Sequence, residues 1–126
     1  MMTHKQRFRR IVIHAGGNDV RRKQSEVLKL QVAAVCKLAS TMADTVIFSG
    51  PLPSTSSAEA FSRHSAFNRW LSGWCPRSGV VHVDNWSAFW GKPGLIRSDD
   101  IHPTLAGTSL LAKNLALALN CSARLK

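Results

Sequence analysis

The sequence predicts an α/β domain in which a short parallel sheet carries helices on its faces. Three short runs rich in β-branched residues, Ile11 to Ile13, Thr45 to Ser49 and Val80 to Asp84, are separated by stretches whose apolar residues recur at helical spacing. That alternation favours parallel strands joined by helical crossovers. A length of 126 residues and an apolar fraction of 44% bound the chain to one domain with material for an ordinary core.

Each element has a local reason. Ile11, Val12 and Ile13 read as a buried strand, closed by a tight turn at Gly16 and Gly17. From Ser25 to about Ala43, Leu28, Val32, Val35, Ala39 and Met42 fall at helical spacing, with Ser25 a candidate N-cap and Glu26 in the first turn. Thr45 to Ser49 is the second strand, ended by Gly50, Pro51, Leu52 and Pro53, which do not continue regular structure comfortably. Ser56 and Glu59 have capping-box spacing ahead of a helix whose Ala60, His64, Phe67, Leu71 and Trp74 share one face and which stops near Pro76. After Val80 to Asp84 a long loop of aromatic residues, Gly and Pro leads to Asp99. Pro103 then suits the first turn of a last helix continued by Leu111, Leu115 and Ala118. The plan is a single domain over residues 1–126, with a core at 8–119 and basic tails at 1–7 and 120–126.

Seventeen Lys and Arg against seven Asp and Glu give a formal charge of +10, a potential that favours anionic partners such as nucleic acid or acidic membrane. Lys5, Arg7, Arg9 and Arg10 precede the first strand while Arg21, Arg22 and Lys23 follow it, so they form two patches and not one stripe. Solvated charge around a strand and a helix start is the alternative to a nucleic-acid surface. Cys36, Cys75 and Cys121 are odd in number and lack CxxC spacing, which argues against a disulfide framework or a zinc site and for a reducing compartment. The basic N-terminus runs into Ile11 to Ile13 and then glycines without a long apolar stretch, and Lys113 and Asn114 interrupt the one long apolar segment. The expectation is a cytoplasmic or nuclear protein with no signal peptide and no transmembrane segment.

Two motifs carry chemistry. His14-Ala15-Gly16-Gly17-Asn18-Asp19 stands where the first strand ends, the edge at which open parallel sheets bind ligands. Glycines there let backbone approach a ligand, and an Asn can aim its amide N–H at an oxygen that becomes negative in a transition state; a plain turn is the alternative. Asp99-Asp100-Ile101-His102-Pro103 stands at the mouth of the last helix. His102 can serve as general base, with a carboxylate three residues earlier curling back to its Nδ1–H, whereas Asp100 has the wrong offset. Trp86, Phe89 and Trp90 either wall a pocket for an acyl or aromatic group or pack under the loop. His14, His64 and His82 alternate with apolar neighbours as buried structural histidines do. No His, Cys, Asp and Glu cluster has metal-ligand spacing, and no cofactor is implied. A phosphate cradle is disfavoured, because GGND lacks the spaced glycines of GxGxxG and any P-loop Lys.

A strand ending in GxND followed by DxxHP opening the final helix resembles the SGNH, or GDSL-like, ester hydrolases over about Phe8 to Leu119. The resemblance implies a three-layer α/β/α flavodoxin-like fold, reduced here to about three parallel strands and three helices. It implies Asn18 as oxyanion-hole donor, His102 as base and Asp99 as its orienting acid; Gly16, Gly17, Trp86 and Trp90 are the candidate substrate-lining residues read from their placement. The basic residues after GxND, the GPLP loop and the Asp-Asn-aromatic stretch are most similar to esterase-type domains of fish genomes and of first-open-reading-frame proteins of some non-LTR retrotransposons.

The family's nucleophile sits in a Gly-Asp-Ser motif after its first strand, and this sequence contains no Gly-Asp-Ser. Two further βα units would need about 60 residues ahead of the GGND strand. The expectation is therefore an N-terminally truncated domain with little activity of its own, whose ester substrate requires completion by an N-terminal segment. The first strand would then be an open edge prone to self-association. The rival expectation is a non-catalytic remnant or basic interaction module that binds nucleic acid or protein.

Overall fold

The computed structural model of the chain describes residues 7–14, 25–53, 57–92, 94–96 and 103–125. In chain order these form β1 (Phe8–His14), α1 (Ser25–Met42), β2 (Ala43–Ser49), α2 (Ala58–Arg77), β3 (Val80–Val83), α3 (Asn85–Phe89) and α4 (Leu105–Leu125). The strands make one parallel sheet in the order β1-β2-β3, with Ile11 opposite Val46 and Val46 opposite Val80. The α/β class read from the sequence is thus the observed one.

Side chains alternate along a strand, so this register sorts the sheet into two faces. Ile11 and Ile13, Val46 and Phe48, and Val80 lie on one face. They pack against Leu28, Val32, Cys36 and Ala39 of α1 and Phe67, Leu71 and Cys75 of α2 in a single core. On the other face Ile47 and Val83 are buried, and α4 contacts β2 and β3. The result is three layers, two helices over one side of the sheet and one over the other.

Local departures from the sequence reading have physical causes. The cap of α2 is Ser57, not Ser56: its side chain accepts from the Ala60 N–H, three residues on. Pro76 lies inside α2, one residue before its end, and Arg77 completes the last turn. Val35 and Met42 are exposed, because the stripe that α1 buries is Leu28, Val32, Cys36 and Ala39. Asp84 belongs to the cap of the short helix α3, which interrupts the expected long loop. The last helix runs through 120–125, which the sequence reading had given to a basic tail.

Pro103 precedes the last helix instead of entering it. Ile96 and Pro103 form an antiparallel bridge, and the Thr104 N–H donates to the Leu95 carbonyl at 2.9 Å. The Thr104 hydroxyl donates to the Gly94 carbonyl and accepts from the Gly107 N–H at 3.1 Å, capping α4. These bonds pin both ends of the 97–102 segment. Gly107 is required for this seat, since a Cβ there would run into the Leu95 carbonyl oxygen and the Pro103 ring. Gly107→Ala should lower stability by about 1–3 kcal/mol, the usual range for overpacking, and thermal unfolding several degrees below the parent chain would show it.

Two features are open at the β1 side. Among the described residues β1 pairs on one edge only, and its Phe8 and Val12 are exposed. On α1, Ala33, Lys37 and Ser40 line a groove of about 490 Å³ shared with Trp74 of α2. Val27, Leu38 and Met42 lie on the opposite flank and are also exposed, Leu38 at 62%.

Candidate active-site edge

In a parallel sheet the strands end together, and here the C-terminal ends are His14, Ser49 and Val83. Side chains tie these ends across the strands. The Asn85 amide nitrogen donates to Ser49 Oγ at 2.8 Å and to the Gly50 carbonyl at 2.7 Å, and His14 Nδ1 lies 3.0 Å from the same Ser49 hydroxyl. Ser49 and Asn85 are fully buried. Gly50 N–H donates to the Val83 carbonyl at 3.0 Å, extending the β2–β3 register past the strand.

Gly50 itself is a close-approach position. A Cβ there would stand 3.0 Å from His82 Nε2, 3.3 Å from the Val83 carbonyl and 3.4 Å from Asn68 Oδ1. Burial lowers the pKa of the His82 imidazole, with Asp84 pulling the other way. His82 Nε2 and Asn68 Oδ1 are buried polar atoms without a hydrogen-bond partner among the described residues.

Asp84 caps α3, accepting from the Ser87 backbone N–H at 3.2 Å and from its hydroxyl at 2.8 Å, and the Asn68 amide donates to it at 3.4 Å. Partial burial alone would raise its carboxyl pKa. The bonds from Ser87 and Asn68 and the His82 charge outweigh that and lower it. Ser87, Asp84 and His82 are therefore a helix cap and its neighbour, because the Ser87 hydroxyl is spent on the carboxylate and not on the imidazole.

Of the residues singled out in the sequence, Gly16, Gly17, Asn18, Asp99 and His102 lie outside the described residues. The structure places what surrounds them: β1 ends four residues before Asn18, and the Ile96–Pro103 bridge closes the segment holding Asp99 and His102. Trp86 and Trp90 are described and stack at 5.5 Å between ring centroids. They share an aromatic patch with Phe61 of α2, 5.5 Å from Trp86 and 5.3 Å from Trp90. Trp90 is 47% exposed and Phe61 37%, so the patch is a surface and not a core under the loop. Phe89, by contrast, is buried. Phe61 went unnoticed in the sequence: it lies at the edge of the buried stripe of α2, next to Ala60, and nothing local marks it as a partner of Trp86 and Trp90.

The histidines divide. His64 is buried with Nδ1 on the Ala60 carbonyl at 2.8 Å, as a structural histidine should be. His14 is exposed, contrary to expectation, yet desolvated enough that its imidazole pKa is lowered. Neither described cysteine, Cys36 or Cys75, offers an alternative nucleophile. Burial pushes the Cys36 thiol up to about 11, and burial with the Cys36 charge pushes Cys75 up to about 12, so neither forms a thiolate at neutral pH. Ser49 contacts a histidine but is fully enclosed. Among the described residues no three His, Cys, Asp or Glu groups come together to hold a metal, and no helix is long and apolar enough to cross a membrane.

The chain belongs to the GDSL-like lipase/acylhydrolase family, whose model matches residues 2–110. Its structure is similar to the esterase domain of the ZfL2-1 ORF1 protein from the zebrafish ZfL2-1 retrotransposon, with a TM-score of 0.72 and 38% identity over 85% of this chain and 70% of that one. It also shares its fold with the acetylxylan esterase Axe2 of Geobacillus stearothermophilus, with a TM-score of 0.68 at 16% identity, spanning 87% of this chain and 58% of Axe2. No curated protein matches it. The SGNH-type three-layer fold expected from GxND and DxxHP is the one found.

The Asp84 cap has a pH signature. Its carboxyl pKa is lower folded than unfolded, so its contribution is fully present above the unfolded value, about 3.9, and disappears as pH falls through the depressed folded value. Asp84→Asn should therefore reduce stability at pH 6 and converge with the parent as the pH falls through the depressed folded value, as urea titrations across that acid range would show.

Proposed function

We propose that this chain carries the oxyanion and acid–base part of a carboxylic-ester hydrolase site, and that the nucleophilic Ser must come from a segment this sequence does not contain. In this reading Asn18 binds the developing oxyanion, His102 moves the proton and Asp99 holds the His102 ring, while Gly16 and Gly17 let the acyl oxygen approach backbone. The observation that carries the reading is the joint placement at strand and helix boundaries: GGND directly follows β1, and DDIHP is closed by the Ile96–Pro103 bridge at the seat of α4. The exposed stack of Trp86, Trp90 and Phe61, beside the end of β3 and the start of α2, suits the apolar part of an ester. The zebrafish relative, described as an esterase domain, supports the same chemistry.

Alone, the chain should hydrolyse 4-nitrophenyl acetate at the buffer rate, because a base and an oxyanion donor have no nucleophile to assist. Turnover well above background that disappears in His102→Ala would contradict this, and turnover that disappears in Ser49→Ala would locate the nucleophile at the sheet edge.

The open β1 edge and the exposed flank of α1 support the second half of the proposal. Unpaired strand groups and apolar side chains on one side of both layers are what a neighbouring βα segment would cover. Until covered, the chain should self-associate: sedimentation at rising concentration should show oligomers, and a compact monomer with a cooperative thermal transition would argue for a self-sufficient fold. The rival reading, a non-catalytic module whose +10 charge binds nucleic acid or protein, draws on the missing Gly-Asp-Ser and the net charge alone.

A further inference from the structure

The hydrogen bonds at the strand ends fix more than the backbone. The Gly50 carbonyl can only accept, so the Asn85 atom 2.7 Å from it is the amide nitrogen, and the amide cannot be turned over. That same nitrogen is 2.8 Å from Ser49 Oγ, so Ser49 accepts from Asn85. The Ser49 hydrogen is then left for its other neighbour, His14 Nδ1, at 3.0 Å. A ring nitrogen that accepts carries no hydrogen, so the neutral imidazole must carry its hydrogen on Nε2. A ring with hydrogen on Nδ1, neutral or protonated, would donate into the second lone pair of Ser49 Oγ and leave the Ser49 hydrogen without an acceptor among the described residues.

We infer that Asn85 and Ser49 are positioning residues for His14, holding its ring neutral with Nε2–H as a fixed donor at the exposed end of β1, four residues before Asn18. Imidazole geometry turns Nε2 away from Ser49, and His14 is exposed where Ser49 is not. A donor so placed suits an electron-rich oxygen, the carbonyl or carboxylate oxygen of an ester or its acid product. That last role rests on reading this edge as the ester site, but the tautomer does not. Asn85 Oδ1, fully buried and without a partner among the described residues, shows that this amide is not placed simply to satisfy itself.

The test is imidazole nitrogen NMR on the full ¹⁵N-labelled chain, which reads the tautomer directly and needs no enzymatic activity. At neutral pH the His14 ring should show hydrogen on Nε2 and a bare Nδ1, with a titration midpoint below about 6.5, the ordinary histidine value. Ser49→Ala should give a mixed tautomer and a midpoint moved up towards the ordinary value, and Ser49→Thr, which keeps the hydroxyl, should restore the parent spectrum. A role in packing alone would not move the tautomer. Hydrogen on Nδ1 in the parent chain, or a tautomer unchanged in Ser49→Ala, would overturn the inference, and the parent spectrum decides even where a variant fails to fold. Neither outcome touches the ester-hydrolase reading, which stands or falls on turnover.

Discussion

The buried side-chain amide of Asn85 is the constraint on which the described site depends. Three parallel strands bring their ends to one edge, but strand pairing alone stops at Ser49 and Val83. The amide reaches from the start of α3 to the end of β2, and through the Ser49 hydroxyl to the end of β1. With Gly50 N–H on the Val83 carbonyl, this ties the C-terminal ends of the three strands into one row. A buried polar row of this kind costs desolvation and is specific only when its members are paired, as its central atoms are.

A second constraint holds the residues that flank 97–102. Leu95 and Thr104 clamp the two ends of the segment carrying Asp99 and His102, and Gly107 lets α4 approach closely enough for the clamp to close. What holds these flanking residues is a carbonyl, a capping hydroxyl and a missing Cβ.

Much of this was legible in the sequence because it rests on periodicity and punctuation. The β-branched runs follow from spacing, as do Leu28, Val32 and Ala39 of one stripe and Ala60, His64, Phe67 and Leu71 of the other; Cys36, and not Val35 or Met42, completes the first. What stayed hidden depends on contacts between residues distant in sequence. His14, Ser49 and Asn85 are more than thirty residues apart from one to the next, and nothing local marks them as partners. Phe61 joins Trp86 and Trp90 only once α2 is set beside α3, and Gly107 reads as an ordinary helix glycine until Leu95 is found against it. Cap positions shifted by one or two residues, at Ser57 and Thr104, because several Ser and Thr compete for each helix start.

We propose that Asn18, Asp99 and His102 form a half-site that awaits a nucleophile. The most direct measurement is ester hydrolysis after fusing to this chain a βα segment bearing Gly-Asp-Ser. The account predicts that the fusion gains turnover of at least about 10³-fold over the chain alone, lost when the supplied Ser, His102 or Asn18 is replaced by Ala. A fusion that folds as a cooperative monomer yet stays at the background rate, or whose activity survives His102→Ala, would contradict it.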